Sequence, residues 1–332
     1  MRIFRIMNNE KEKLKFIDLF CGIGGFHIAF DNACRANNIQ AECVFASDID
    51  KYAQDSYEAN FGIRPVGDIT TINEDSIPNH DILFAGFPCQ PFSIIGQMKG
   101  LDDIRGTLFF DIARIIGAKK PRAFILENVK QLVGHDKGNT IKIIIKTLRN
   151  LGYFVSYKVL NALNYGLPQK RERIVIVGHQ DNIMFRYPSP SRPFKSLRKI
   201  LEPEVDPKFY ASKYIQEKRK ISHVSKTSPS IWHENKSGNI SSYPYSCALR
   251  AGASYNYLLV DGKRRLTPRE MFRLQGFPDR YKFVVSDSQL RKQAGNAVPV
   301  NMIEAVAKGL LPFIAKSVDQ TLVLAEHKVE YV

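Results

Sequence analysis

Disulfide and metal chemistry are poorly provided for in this 332-residue chain. Its five cysteines, Cys21, Cys34, Cys43, Cys89 and Cys247, are odd in number and widely spread, with no CxxC pair and no histidine at metal-ligand spacing. That excludes a disulfide framework and a zinc finger as organising devices and leads us to expect no metal site. No stretch reaches the roughly 18 to 20 uninterrupted apolar residues of a transmembrane helix. The opening MRIFRIMNNEKEK also lacks the apolar region of a signal peptide. The expectation is a soluble, cytoplasmic protein without a membrane partner. Acidic residues are scarce beside basic ones, 33 against 48, for a formal charge of +15, which points to a polyanionic partner. Apolar residues at 44% and aromatics at 11% exclude a disordered or collagen-like chain. The length predicts one large core and a smaller domain.

From Lys15 to about Gly178, short apolar runs alternate with amphipathic stretches: KFIDLF, a helical pattern over Phe26 to Asn37, ECVFASDID, YAQDSYEANFG, HDILFAGFP, TLFFDIARIIGAKKP, AFILEN, a helical pattern over Asn139 to Leu151, YFVSYKVLNA and RERIVIVGH. This order predicts an α/β fold with a doubly wound, mostly parallel sheet. Between 179 and 265 the texture turns irregular, rich in Pro, Ser, Tyr and Lys, with 16 Lys and Arg against 7 Asp and Glu. A surplus of nine positive charges therefore sits in the irregular part. Beyond it, Thr267 is placed to cap a helix with Pro268 at its first position, and NMIEAVAKGLLPFIAKSV reads as a final apolar helix.

The first strand runs into Asp18-Leu19-Phe20-Cys21-Gly22-Ile23-Gly24-Gly25 and then a helix. A dinucleotide fingerprint needs a third glycine where His27 stands, so a nicotinamide cofactor fits poorly. The second strand ends at Ser47-Asp48, where a carboxylate can accept ribose hydroxyls. A glycine loop with a ribose acid and no pyrophosphate pattern suits a nucleoside with a short charged tail, such as S-adenosylmethionine (SAM), whose carboxylate can meet backbone N–H groups at the helix start. Taken alone, the loop is also compatible with a plain tight turn.

Gly86-Phe87-Pro88-Cys89-Gln90-Pro91 follows the apolar strand DILFA, placing Cys89 at a carboxyl strand end, where open α/β sheets put their ligands. The strand ending at Leu126 is followed by Glu127-Asn128-Val129. A carboxylate there is half buried, with a pKa raised toward the range useful for proton donation. In Gln169-Lys170-Arg171-Glu172-Arg173, alternation along an extended segment puts Arg171 and Arg173 on one face, suited to holding base or phosphate oxygens. Each feature by itself also has a bland structural explanation.

In order, DLFCGIGGF, GFPCQPFS, ENV, QKRER, RLTPREMFRLQGFPD and GNAVPVN form a specific series, and the sequence resembles the bacterial SAM-dependent DNA cytosine-5 methyltransferases of restriction-modification systems. The resemblance covers about residues 15 to 178 and 264 to 315. It implies a catalytic SAM-binding domain of the Rossmann-like methyltransferase type over 1–178 and 266–332, with a variable target-recognition domain over 179–265. It further implies double-stranded DNA as partner, base flipping, a monomer, a bacterial nucleoid-associated location and a cognate restriction endonuclease acting on the same site without a stable complex.

The resemblance also implies roles. Cys89, preceded by Pro88, would add to carbon 6 of a flipped cytosine; Glu127 would share a proton with ring nitrogen 3; Arg173 would hold the cytosine carbonyl oxygen; Arg171 would support the site; and Asn128 would position the base or the Pro88-Cys89 loop. Phe20, Gly22, Gly24 and Gly25 would surround SAM, with Asp48 on its ribose, Ile49 beside the adenine, Asp68 and Ile69 near the adenine, and Asn296 and Ala297 completing the pocket. Three departures from the family pattern stand out: Asp48 where Glu is common, Ile49 where an aromatic often stacks on adenine, and Cys247-Ala248-Leu249-Arg250 where relatives tend to have Thr-Leu, so that the usual backbone-contacting hydroxyl would be absent. Residues 93–105 resemble a segment that closes over DNA, with Gly96 and Gly100 as hinges and Ile94, Ile95, Gln97 or Met98 filling the gap left by the flipped base. Phosphate contacts would come from among Lys195, Arg198, Lys199, Lys213, Lys218, Arg219, Lys220 and Lys226. Two rivals are disfavoured. An RNA cytosine methyltransferase of the same lineage would lack the long basic insert and carry a CFT signature, and a non-catalytic DNA-binding scaffold would not need Cys89, Glu127, Arg171 and Arg173 together.

Overall fold

The structure, a computed structural model, describes residues 13–88, 108–190 and 193–315. The alternating pattern resolves into β1 (Lys13–Leu19), α1 (Gly25–Arg35), β2 (Gln40–Ser47), α2 (Lys51–Phe61), β3 (Ile82–Gly86), α3 (Leu108–Lys119), β4 (Ala123–Val129), α4 (Asn139–Asn150), β5 (Phe154–Asn161), β6 (Gln169–Lys170) and β7 (Glu172–His179). Six of these strands form one sheet in the order β2–β1–β3–β4–β7–β5. Every neighbouring pair from β2 to β4 is parallel, and β7 alone runs antiparallel to its neighbours. The predicted doubly wound, mostly parallel sheet is borne out.

Strand alternation sends side chains to two cores. Phe16, Phe84, Ile125 and Val177 face one, together with Phe30 of α1; Ile17, Leu83, Leu126 and Ile176 face the other, together with Ile112 of α3 and Ile144 of α4. Strand order reverses at β1, whose two neighbours are β2 and β3, so the carboxyl ends of β1 and β3 diverge into a crevice.

After β7 the chain returns across the sheet, where Tyr187 Oη donates to the carbonyls of Ser156 and Val175. The irregular region then forms α5 (Lys213–Ser222), β8 (Ile231–Glu234), β9 (Ile240–Tyr243), β10 (Ser246–Cys247) and β11 (Leu258–Val260). Strands β11–β8–β9 make a small antiparallel sheet. β10 leaves that sheet to pair with β6, Ser246 against Gln169 and Cys247 against Lys170. A buried knot closes the region: Arg264 forks onto Glu270 at 2.8 Å through both terminal nitrogens, and Glu270 also accepts the Glu202 N–H.

The chain then returns to the large sheet through α6 (Pro268–Gln275), α7 (Asp287–Asn296) and α8 (Val300–Ile314). α6 carries the expected Thr267 cap and Pro268 start, and Glu270 completes a capping box. α8 buries Met302, Ile303, Val306 and Leu310 in the core shared with α1. Asp287–Ile314 is apolar enough on average to span a membrane, yet it is two helices, with most of its apolar window inside the protein.

Candidate active site

The loop after β1 turns because three residues take left-handed backbone angles: Phe20 at φ 54°, Gly22 at 52° and Gly24 at 77°. Gly24 also lies so close to α2 that a Cβ there would be 2.2 Å from the Phe61 ring, and one on Gly25 would be 2.6 Å from Val298. His27, where a dinucleotide site would need glycine, is buried, stacked on Phe61 at 4.0 Å and hydrogen-bonded to Tyr57.

At the end of β2, Asp48 accepts from the backbone N–H of Gly22 and of Asp50, each at 2.8 Å. Burial pushes its pKa up while those two N–H bonds oppose the rise. Asp18 beneath the loop is wholly buried, and its pKa stands well above the usual carboxylate range because of that burial and of Asp48 nearby. Asp68 accepts from the N–H and hydroxyl of Thr70, shaping the next turn.

These elements line one cleft of about 620 Å³, within the range of small-molecule sites. Phe20, Gly22, Gly25, Asp48, Ile49, Asp68, Ile69, Asn296 and Ala297 lie on its wall, and so do Pro88, Glu127, Asn128, Arg171 and Arg173. The structure therefore brings together residues separated by as much as 277 positions. Gly24 stands just behind the wall as the N-cap residue of α1. Ile49 is 74% exposed, an aliphatic flank rather than a stacking surface. Cys89 and residues 93–105 lie outside the described residues.

Opposite the glycine loop, Glu127 sits almost completely buried at the end of β4, with Arg173 Nε 2.9 Å from its Oε1. Burial raises the Glu127 pKa, and the guanidinium groups of Arg173 and Arg171 pull against that rise. Asn128 donates to the Phe87 carbonyl at 3.0 Å, fixing the backbone that leads into Pro88.

Arg171 shares the cleft wall with Arg173 as alternation predicts, but its nitrogens point into the protein. They donate to the carbonyls of Leu249, Gly295 and Ala297 at 2.8 to 3.0 Å. Burial lowers its pKa to about 9, which leaves it charged at neutral pH. Gln169 works beside it, accepting the Leu249 N–H and donating to the Leu274 carbonyl.

Lys292 and Gln293 are among the wall residues that escaped the sequence reading. Lys292 ion-pairs with Asp50 at 2.8 Å, and Gln293 donates to the Tyr52 carbonyl, tying α7 to α2. Lys292 lies four residues before Asn296, one helical turn away on the same face, and that spacing is the signal that could have found it. One phosphate candidate is corrected: Arg219 is buried, held by Glu234 and the Asn256 carbonyl, and unavailable to DNA.

The profile of the C-5 cytosine-specific DNA methylases matches residues 14–311. Type II methyltransferase M.NgoBI of Neisseria gonorrhoeae is 55% identical over 298 residues, covering 89% of this chain and 92% of its own. Type II methyltransferase M.HaeII of Haemophilus aegyptius is 53% identical over 304 residues, covering 90% and 93%. Among solved structures, a mutant of Spodoptera frugiperda DNMT2 superposes with a TM-score of 0.71 at 21% identity over 90% of this chain and 99% of that one, a likeness of fold.

Proposed function

The chain belongs to the C-5 cytosine-specific DNA methylases, and from that premise we propose how its residues divide the work of methylating carbon 5 of cytosine in DNA. The cleft fits SAM: Gly22 turns the loop with a left-handed φ and leaves open space, a Cβ on Gly24 or Gly25 would strike Phe61 or Val298, and Asp48 is held with its carboxylate on the wall. Bound there, SAM supplies the methyl group. Gly22, Gly25 and Asp48 hold the nucleoside end of the cleft, Asp68 and Ile69 its base side, and Asn296 and Ala297 its far wall.

Carbon 5 of cytosine is too weakly nucleophilic to be methylated directly, so the thiolate of Cys89 adds to carbon 6 of the flipped base while Glu127 gives a proton to ring nitrogen 3. Carbon 5 then carries the electron density that takes the methyl group; loss of its proton to a base such as water, return of the ring-nitrogen proton to Glu127 and expulsion of Cys89 as thiolate restore the aromatic ring. Arg173 orients Glu127 and holds the base oxygen. Asn128, by its grip on Phe87, aims the backbone that carries Pro88 and Cys89. The observation that carries this reading is the buried Glu127–Arg173 pair facing the glycine loop across one cleft.

Residues 179–265 serve as the target-recognition domain. The protein works as a monomer in a bacterial restriction-modification system, protecting in the cytoplasm the sites that a separate endonuclease would cut. This is supported by the two Type II relatives and by the basic surplus of that region. The test is transfer of labelled methyl from SAM to duplex DNA, followed by bisulfite sequencing of a plasmid from expressing cells. Duplex carrying 5-fluorocytosine at the target traps the enzyme covalently, because fluorine cannot leave as a proton. Methylation without any trapped species would overturn the Cys89 mechanism.

A further inference from the structure

Most arginines around the recognition region spend their donors on the protein. Arg171, Arg219, Arg264, Arg265 and Arg291 all donate to carbonyl or carboxylate oxygens. Arg250 differs. Arg250 itself is exposed, and among the described residues its guanidinium has no carboxylate partner; it lies over the face of Tyr257, 4.8 Å from the ring centroid.

The backbone beneath it is fixed on every side. The Leu249 N–H is taken by Gln169 and the Leu249 carbonyl by Arg171, the two residues flanking Lys170 where β6 gives way to β7. The Arg250 N–H donates to the Tyr257 hydroxyl at 3.0 Å. Behind it, a Cβ on Gly295 would sit 2.3 Å from the Ala251 nitrogen, so the segment is pressed against the end of α7. Arg291 of α7 braces the following turn through the carbonyls of Ala253 and Ser254. A planar five-donor fork is thus mounted rigidly on a ring, unpaired, and one residue from the carbonyl that Arg171 locks to the Glu127 site. Non-specific phosphate contact does not need such mounting, since a flexible ammonium suffices. Reading a base edge does, because two parallel hydrogen bonds tolerate only one orientation, and guanine offers the O6 and N7 acceptors that match.

We propose that Arg250 is a specificity-determining residue that reads a guanine of the recognition sequence through its major-groove edge. The assignment rests on the methyltransferase reading above.

Once bisulfite sequencing has defined the site, each guanine is replaced in turn by 7-deazaguanine, which lacks the N7 acceptor, and kcat/KM is measured for the wild type and for Arg250→Ala. One position should cost the wild type about 5- to 150-fold and cost the variant nothing further. Arg250→Lys should behave like Arg250→Ala there, because an ammonium cannot form the fork, and unchanged SAM affinity in both variants shows that they are folded. Tyr257→Phe keeps the ring but removes the acceptor for the Arg250 N–H; it should relax discrimination at that same guanine and at no other. Additive losses at every guanine would overturn the proposal. So would a uniform loss on all DNA with a salt slope reduced by about one, the mark of a phosphate contact. A wild type that methylates no DNA would instead sink the methyltransferase reading itself.

Discussion

Where β1 and β2 end, the cleft wall is mostly backbone: a left-handed glycine turn, and carboxylates that are themselves held by N–H groups. Where β4 and β7 end, it is charged side chains, Glu127 against Arg173, with Arg171 locked behind them. A wall of backbone is sensitive to added volume and indifferent to most changes of side chain. A wall of paired charges fails when one member is lost, because the other is left buried without its partner. The two halves should therefore respond to mutation in kind as well as in degree.

The largest effect belongs to the proposed nucleophile, and the charged half comes next. Cys89→Ser should lower methyl transfer by at least about a thousandfold while SAM affinity, measured by calorimetry, stays near wild type. A matching loss of SAM binding would erase the distinction between the halves. Glu127→Gln should cost about a hundred- to ten-thousandfold in kcat. Its pH dependence has a definite sign. Burial raises the Glu127 pKa, so the protonated donor persists to higher pH than in an exposed glutamate. Wild-type kcat/KM should fall as pH rises through that raised value, and the variant's profile should lose this limb.

Arg171→Lys should act on the fold rather than the chemistry. Orphaning buried carbonyls costs about 1 to 3 kcal/mol each, so the melting temperature should drop by several degrees, whereas Arg173→Lys should lower kcat at nearly unchanged stability. On the backbone half, Gly25→Ala should weaken SAM binding about tenfold, since its methyl would meet Val298 at 2.6 Å. Smallest of all, Ile49→Trp should tighten SAM about 2- to 10-fold by offering a ring to adenine; no gain would mean that the base lies elsewhere in the cleft.

The parts of this arrangement written locally were legible in the sequence. The glycine loop, Asp48 and Pro88 each follow an apolar strand and Glu127 sits near the end of one, and strand ends are where such a sheet gathers its ligands. Lys292 was fainter, marked only by its four-residue spacing from Asn296, because α7 is short and polar and is tied to the cleft through its contact with α2. Arg219 looked no different from Lys218 and Lys220, yet each step along a helix turns a side chain by about 100°, and this one turns inward. Arg171 was placed on the correct wall, but its partners are carbonyls, which every residue possesses and which leave no trace in composition or motif.

That anonymity makes the grip tolerant of substitution. Arg171 and Gln169 grip Leu249 through its amide and carbonyl, so nothing in the grip depends on the identity of the residue being held. A substitution in the segment beyond it leaves the grip intact so long as one peptide unit reaches the same spot.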